Sequence, residues 1–320
     1  MAIDLKDQYF GTEIEMTGIT REQAAKSVAA LFGTEAYYIG TYYKTWGVRD
    51  LEGKEWKFTY DSSISPRWRR NGSYQSGDST YQTEMVSPKL EYAEMEKLQN
   101  VVRTLRQSGG RVNPSCGMHV HVDAANHTPR SLKNALTIMY SKEDIMFKAL
   151  EVNPARVEQW CKKVREHVLE KIRKMPSNNM SMDKLRRLWY EEQRTGRHYH
   201  DHYDSTRYYA LNLHAVFDKG TLEWRCFNST LHAGKVRANI TLALAISAQA
   251  INQQKTQMRK TEISENPCFT FRTFLLRLGL IGPEYKNVRD HLLCNLEGSR
   301  AWRYDKSVYE SRKQNQQEAR

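Results

Sequence analysis

The sequence predicts an α+β protein: one antiparallel sheet that cradles a polar site, with helices packed on its other face. Three observations predict it. Short stretches alternate polar and apolar residues with a period of two, capped helical stretches lie between them, and a turn signal joins two apolar runs late in the chain.

The clearest alternating stretch is Cys116-Gly117-Met118-His119-Val120-His121-Val122-Asp123. On a strand, His119, His121 and Asp123 point one way, and Met118, Val120 and Val122 point the other. Three ligand-type side chains in a row favour a functional face over a solvated one, because neutral imidazoles are common metal ligands.

The other elements follow in chain order. Residues 8–17 form a strand with Phe10, Thr12, Ile14 and Met16 on one face and Glu13 and Glu15 on the other. Thr20-Arg21-Glu22-Gln23 is a capping box that opens a helix to about Phe32. Ala36–Tyr43 and Glu55–Tyr60 are aromatic-rich strands. Ser62–Ser79, full of Ser, Gly, Asn and Arg, reads as a mobile loop able to close over a site. Tyr81–Ser87 returns to strand before Pro88, and Glu91–Gln107 is a helix stopped by Gly109-Gly110. Pro129 starts a mainly helical run to about Arg197, broken near Asn153-Pro154 and Pro176–Asn179. Tyr208–Phe217 and Thr221–Asn228, joined by Asp218-Lys219-Gly220, read as a β-hairpin. Gly234–Gln254 is a long helix with an apolar stripe of Ile240, Leu244, Ala248 and Ile251. Shorter helices are expected over Phe269–Leu280 and Pro283–Leu296.

The expected organisation is a catalytic domain over about residues 1–255, with a helical insertion over about 130–205. A helical extension over 256–304 and a polar tail over 305–320 follow it. A chain of 320 residues can bury a full core. No apolar run approaches the roughly 20 residues of a membrane span, and Met1–Tyr9 lacks the pattern of a secretory signal. The five scattered cysteines read as reduced thiols of a cytoplasmic protein. A net charge of +12 favours anionic partners. That charge is spread out, so nucleic-acid binding is allowed but not required.

Four strands present polar groups at alternate positions: Glu13 and Glu15, Glu84, His119 and His121, and Glu223 and Arg225. Glutamates with one or two histidines make an oxygen-rich cage for Mg²⁺ or Mn²⁺. Arg225 and Arg207 add fixed positive charge for phosphate oxygens. Carboxylates that hold divalent ions beside arginines describe a phosphoryl-transfer site. His198, His200 and His202 lie in a polar Arg-rich context and read as an exposed loop. Cys161 has no neighbour that would make it a nucleophile.

Phe10-Gly11-Thr12-Glu13-Ile14-Glu15, Glu84-Met85-Val86-Ser87-Pro88 and the Gly-Met-His-Val-His run together resemble the amidoligase family. Arg207-Tyr208-Tyr209-Ala210-Leu211-Asn212 and Thr221-Leu222-Glu223-Trp224-Arg225 complete the pattern. The family is similar to glutamine synthetase and the glutamate–cysteine ligases, and the resemblance covers about residues 8–250. It implies a glutamine synthetase-like sheet that cradles ATP and divalent cations. It also implies an ATP-dependent amide-bond ligase that joins a carboxylate to an amine through an acyl phosphate.

By motif position, the resemblance gives Glu13, His119 and Glu223 to a cation near the ATP phosphates, and Glu15 and Glu84 to a second cation. It gives His121 and Arg225 to phosphate contacts and Arg207 to the transferring phosphoryl group, with Glu84 also in the chemistry. Asp61 and Asn212 are expected to position the substrate or the amine. Asp61-Ser62-Ser63 departs from the Asp-Gly-Ser-like turn of relatives, which affects the substrate loop and not the metal residues. Two rival readings are a guanidino-kinase-like phosphotransferase and a basic nucleic-acid-binding protein on a degenerate ligase fold.

Overall fold

The computed structural model describes residues 2–70, 72–176, 180–191 and 204–304. Its centre is an eight-stranded, wholly antiparallel sheet. In chain order the strands are β1 (Phe10–Met16), β2 (Ala36–Tyr38), β3 (Trp46–Arg49), β4 (Glu55–Thr59), β7 (Thr83–Val86), β8 (Gly117–Asp123), β9 (Leu211–Asn212) and β10 (Thr221–Asn228), with β5 (Arg67–Arg70) and β6 (Ser73–Ser76) forming a separate hairpin. Across the sheet the order is β2-β3-β4-β7-β1-β8-β10-β9, so β1 lies between β7 and β8.

Alternation decides which face each side chain takes. Ile14, Met16, Met85, Met118, Val120, Val122, Leu222 and Trp224 are fully buried on the face that helices cover. The covering helices are α1 (Arg21–Phe32), α2 (Met95–Gln107) and α8 (Ala233–Asn252). Thr20 caps α1 with the predicted box to Gln23, and Gly33, at φ 69°, ends it. The predicted stripe on α8 is too narrow. Ile240, Leu242, Leu244 and Ile246 are all fully buried, because β8, α2, α3 (Pro129–Ala149) and α10 (Lys286–Leu293) surround the helix.

The middle of the chain forms α3, α4 (Pro154–Gln159), α5 (Glu166–Lys174) and α6 (Met182–Tyr190). Val168, Leu169, Ile172 and Leu185 join the same continuous core. Helix α9 (Pro267–Arg277) packs on α3 and α10. Among the described residues no helix is long and apolar enough to cross a membrane.

Three expectations are corrected. The apolar run before Gly220 is not a strand of a hairpin: only Leu211–Asn212 pairs with β10, and His214–Lys219 is a short helix, α7. Residues 62–79 are not an open loop, because they contain the β5–β6 hairpin, pinned to the end of β1 by Thr17 Oγ1 donating to the Arg67 carbonyl (2.8 Å). The strand expected over Ala36–Tyr43 ends at Tyr38, and its partner is β3, which the sequence reading did not separate.

A buried polar contact ties α3 to α8. His127 is bonded through Nδ1 to Ser131 Oγ (3.1 Å) and through Nε2 to Ser247 Oγ (2.8 Å). Burial pushes its imidazole down from 6.5 to about 4. A depressed histidine contributes stability that is complete above the unfolded value and is lost as pH falls through the folded one. Urea unfolding at pH 7 and pH 4.5 is expected to show a loss of about 2–3 kcal/mol from this group. His127→Gln is expected to flatten that part of the pH profile.

Candidate metal and phosphate site

The sheet face opposite the helices carries the charged residues, most of them buried, and ladder register brings them together. Glu13 lies opposite His119, Glu15 opposite Glu84, and Glu223 opposite His121, so each pair shares a face. His119 Nδ1 lies 2.8 Å from Glu13 Oε2 and 3.6 Å from Glu223 Oε1. His119 Nε2 lies 3.9 Å from Glu15 Oε1. His121 Nδ1 is bonded to Thr221 Oγ1 (3.0 Å), and its Nε2 faces Glu13 Oε1 (3.3 Å) and Glu223 Oε1 (3.8 Å). Arg225 Nη1 donates to Glu223 Oε1 at 2.7 Å.

Alternation puts Arg225 on the same face as Glu223, and a β-bulge follows it. Trp224 pairs with Val120 and Phe227 with Met118, so Arg225 and Cys226 together oppose the single residue His119. Without the extra residue, Phe227 would turn onto the charged face, and the bulge keeps it in the core at 1% exposure. The bulge frees backbone carbonyls, and a buried guanidinium takes them up. Arg156 donates through Nη1 to Phe227 O (2.6 Å) and through Nη2 to Arg225 O (3.2 Å). Arg156 stands on α4, whose start is fixed by Asn153 accepting from Ala155 N–H. Nothing in the local sequence marks it, because its partners are about seventy residues away.

Electrostatics divides the acids into two sets. Burial opposes ionisation of Glu13, but the nearby His121 and the hydrogen bond with His119 outweigh it and hold the carboxyl well below its usual range. Glu223 is likewise disfavoured by burial, yet Arg225 and the two imidazoles bring it down to about 2. Burial and the charge of Asp61 push Glu15 up to about 8, although Gly117 N–H, Arg156 and Arg225 pull the other way. Burial, then Glu13, Asp61 and Glu15, raise Glu84 well above the carboxylate range. Burial and Arg225 lower His119 to about 4. For His121, burial is overcome by Glu13 and Glu223, and its imidazole moves up.

Among the described residues three sets present ligand atoms within 4.8 Å of one another: Glu13–His121–Glu223, Glu13–Glu84–His119 and Glu15–Asp61–Glu84. They fit a cation. His121 Nε2 is buried with no aligned hydrogen bond although it points between two carboxylates. Carboxylate and imidazole donors without a thiolate suit Mg²⁺ or Mn²⁺.

A cleft of about 640 Å³ opens over these groups. Arg156, Arg207 and Arg225 line it, with Trp160 and Tyr208 on one side and Tyr43 and Tyr60 on the other. Asp61, expected to position the substrate or the amine, lies among the acids beside Glu15 and Glu84. Asn212 is buried beside the site, donates to Glu223 Oε2 (2.5 Å) and accepts from His214 N–H (2.8 Å), so both ends of its amide hold protein groups. Asp123 lines a smaller hollow beside His121 and pairs there with Lys89. Ser62 and Ser63 line the cleft. His198, His200 and His202 lie outside the described residues.

With this geometry in place, one comparison is decisive: the model of the family described as "putative amidoligase enzyme" matches residues 6–247. The chain belongs to that family. No curated protein matches it. The match spans every strand of the amidoligase sheet, the four that carry the charged residues included.

Gly117 gives a direct check on how this amidoligase builds its site. A Cβ there would stand 2.2 Å from Arg156 Nη2, while Gly117 N–H donates to Glu15 Oε2 at 2.6 Å. Gly117→Ala is expected to destabilise the protein by about 1–3 kcal/mol through overpacking. Chemical denaturation checks it, with Gly109→Ala unsuitable as a control because of its positive φ of 108°.

Proposed function

We propose that the chain is an ATP-dependent carboxylate–amine ligase that works through an acyl phosphate at a two-cation site. The observation that carries this reading is the convergence of Glu13, Glu15, Glu84, His119, His121 and Glu223 from four adjacent strands beneath a cleft lined with arginines. Membership of the amidoligase family supports the ligase class.

Glu13, His121 and Glu223 would hold one cation, and Glu15, Asp61 and Glu84 the other, with His119 steadying Glu13 between them. This differs from the motif-based assignment, which gave His119 to the first cation and His121 to phosphate. When bound, the cations supply charge neutralisation between phosphates and a carboxylate that otherwise repel.

The protein's own groups do the rest. Arg225 and Arg207 bind phosphoryl oxygens in a fixed orientation. Tyr43, Tyr60, Trp160 and Tyr208 narrow the cleft and limit water, which would hydrolyse an acyl phosphate. In the first step a carboxylate oxygen attacks the γ-phosphorus of ATP and ADP leaves. In the second an amine nitrogen attacks the acyl carbon, phosphate leaves with the C–O electron pair, and the nitrogen's proton passes to the departing phosphate. A second hollow of about 240 Å³ meets the site at Glu13 and His121, has Tyr9, Val86 and Pro88 as apolar wall, and carries Lys219 and Lys89, the latter paired with Asp123. It suits the nucleotide, with the base on the apolar wall and the phosphates toward His121 and Lys219.

The test is ATP turnover with Mg²⁺, with and without pooled carboxylates, amino acids and polyamines. Phosphate release that needs both a carboxylate and an amine is expected, with a loss of at least about 100-fold in Glu13→Ala. ADP formation without an amide would favour the phosphotransferase, and absence of nucleotide binding would contradict the enzyme reading.

A further inference from the structure

We propose that an arginine-lined track beside the sheet binds an acidic stretch of polypeptide, the macromolecular carboxylate substrate of the ligase; the substrate part rests on the function proposed above. Three adjoining hollows form the track. The first, about 600 Å³, lies between α1 and the β5–β6 hairpin and presents Lys26, Arg69 and Arg111. The second, about 530 Å³, shares Arg111 and adds Arg103 and Arg106. The third, about 220 Å³, shares Arg103 and Gly234 with the second and adds Arg237.

Lys26 pairs with Glu22 at 2.6 Å, but the arginine charge along the track is not cancelled by carboxylates that line it. Among the described residues no carboxylate lines the first two hollows. The one in the third, Glu284, pairs with Lys6 at 2.7 Å. Arg103 donates to the neutral Asn100 Oδ1 (2.6 Å), and Arg111 donates to the Tyr74 hydroxyl (3.1 Å) and to the carbonyls of Arg106 and Gly110. The 20-residue helix α8 also opens into the second hollow at Ala233-Gly234, which adds the positive end of its dipole.

The track's hairpin wall and the cleft are joined by one stretch of chain. The hairpin continues back along the chain into residues 61–65, and Asp61, Ser62 and Ser63 line the catalytic cleft. Ser65 is pinned there by Ser115 Oγ, which accepts from its N–H (2.8 Å), and by Asn113 Nδ2, which donates to its carbonyl (2.8 Å). A chain rich in Asp or Glu would meet guanidinium groups along its length and bring one carboxylate to the cleft. Nucleic acid fits less well, because Trp68 and Tyr81 stack on each other at 6.0 Å and 27° and keep part of their ring faces from bases.

The experiment is fluorescence anisotropy of a labelled deca-glutamate peptide, a deca-lysine peptide and a single-stranded oligonucleotide, without ATP. Arg103 and Arg106 are exposed on α2, so Arg103→Gln/Arg106→Gln is expected to keep the wild-type melting temperature. Deca-glutamate is expected to bind, to weaken steeply between about 0.05 and 0.2 M salt, and to lose at least tenfold in affinity in the double variant and in Arg69→Gln. Lys171→Gln/Lys174→Gln on α5, with the same net-charge change, is expected to bind as wild type. Equal loss in that control, preference for the oligonucleotide, or no peptide binding would overturn the proposal. Binding needs no turnover, so peptide binding without ATP turnover would count against the ligase reading alone. Turnover on small carboxylates without peptide binding would count against the track alone.

Discussion

Carboxylates packed on one sheet face repel one another, and the rest of the structure is arranged so that they stay there. The device is ladder register. Because side chains alternate with a period of two, a one-residue slip of β1 against β7 or β8 would move Glu13 and Glu15 into the core and Ile14 out of it. The apolar face therefore specifies the charged one. Thr12 reinforces the register, since its Oγ1 donates to the His119 carbonyl at 2.7 Å. On the far side of β8, the bulge in β10 and the Arg156 guanidinium beneath it let Glu223 and Arg225 both face the site while Phe227 stays in the core.

Burying so much charge is costly unless each group has a partner. Five acids, Glu13, Glu15, Asp61, Glu84 and Glu223, face three guanidinium groups from Arg156, Arg207 and Arg225. The half of the site near Arg225 is balanced: Glu223 is held ionised by that arginine and Glu13 by the imidazoles. The half near Asp61 is not: there burial and the neighbouring carboxylates push Glu15 up to about 8 and raise Glu84 well above the carboxylate range. A divalent cation held there would compete with protons for the same oxygens and would bind more tightly as pH rises. The same pairing logic explains Asn212, whose amide is spent on holding Glu223 in place.

Much of this was legible in the sequence because it depends on local pattern. Alternation in residues 8–17 and 116–123 assigned faces correctly, and the Thr20 box and Gly109-Gly110 marked helix ends. Features that depend on long-range contact were not legible. The apolar run Leu213–Phe217 reads equally as strand or helix over so short a length, and the left-handed Gly220 that ends α7 mimics a hairpin turn. The Ser, Gly and Arg composition of 62–79 hid a hairpin whose stability comes from pinning to Thr17. Arg156 carries no local signal, since its meaning depends on a bulge elsewhere in the chain. Asp61 was placed with the substrate by its turn, whereas the fold sets it beside Glu15 and Glu84.

The most direct measurement is anomalous diffraction from crystals grown with Mn²⁺ and a non-hydrolysable ATP analogue. Two strong peaks are predicted on the sheet face opposite the helices, one among Glu13, His121 and Glu223 and one among Glu15, Asp61 and Glu84. Analogue phosphates are expected alongside Arg225. No peak among these side chains at millimolar Mn²⁺, or manganese bound only elsewhere on the surface, would contradict a two-cation site built by strand register.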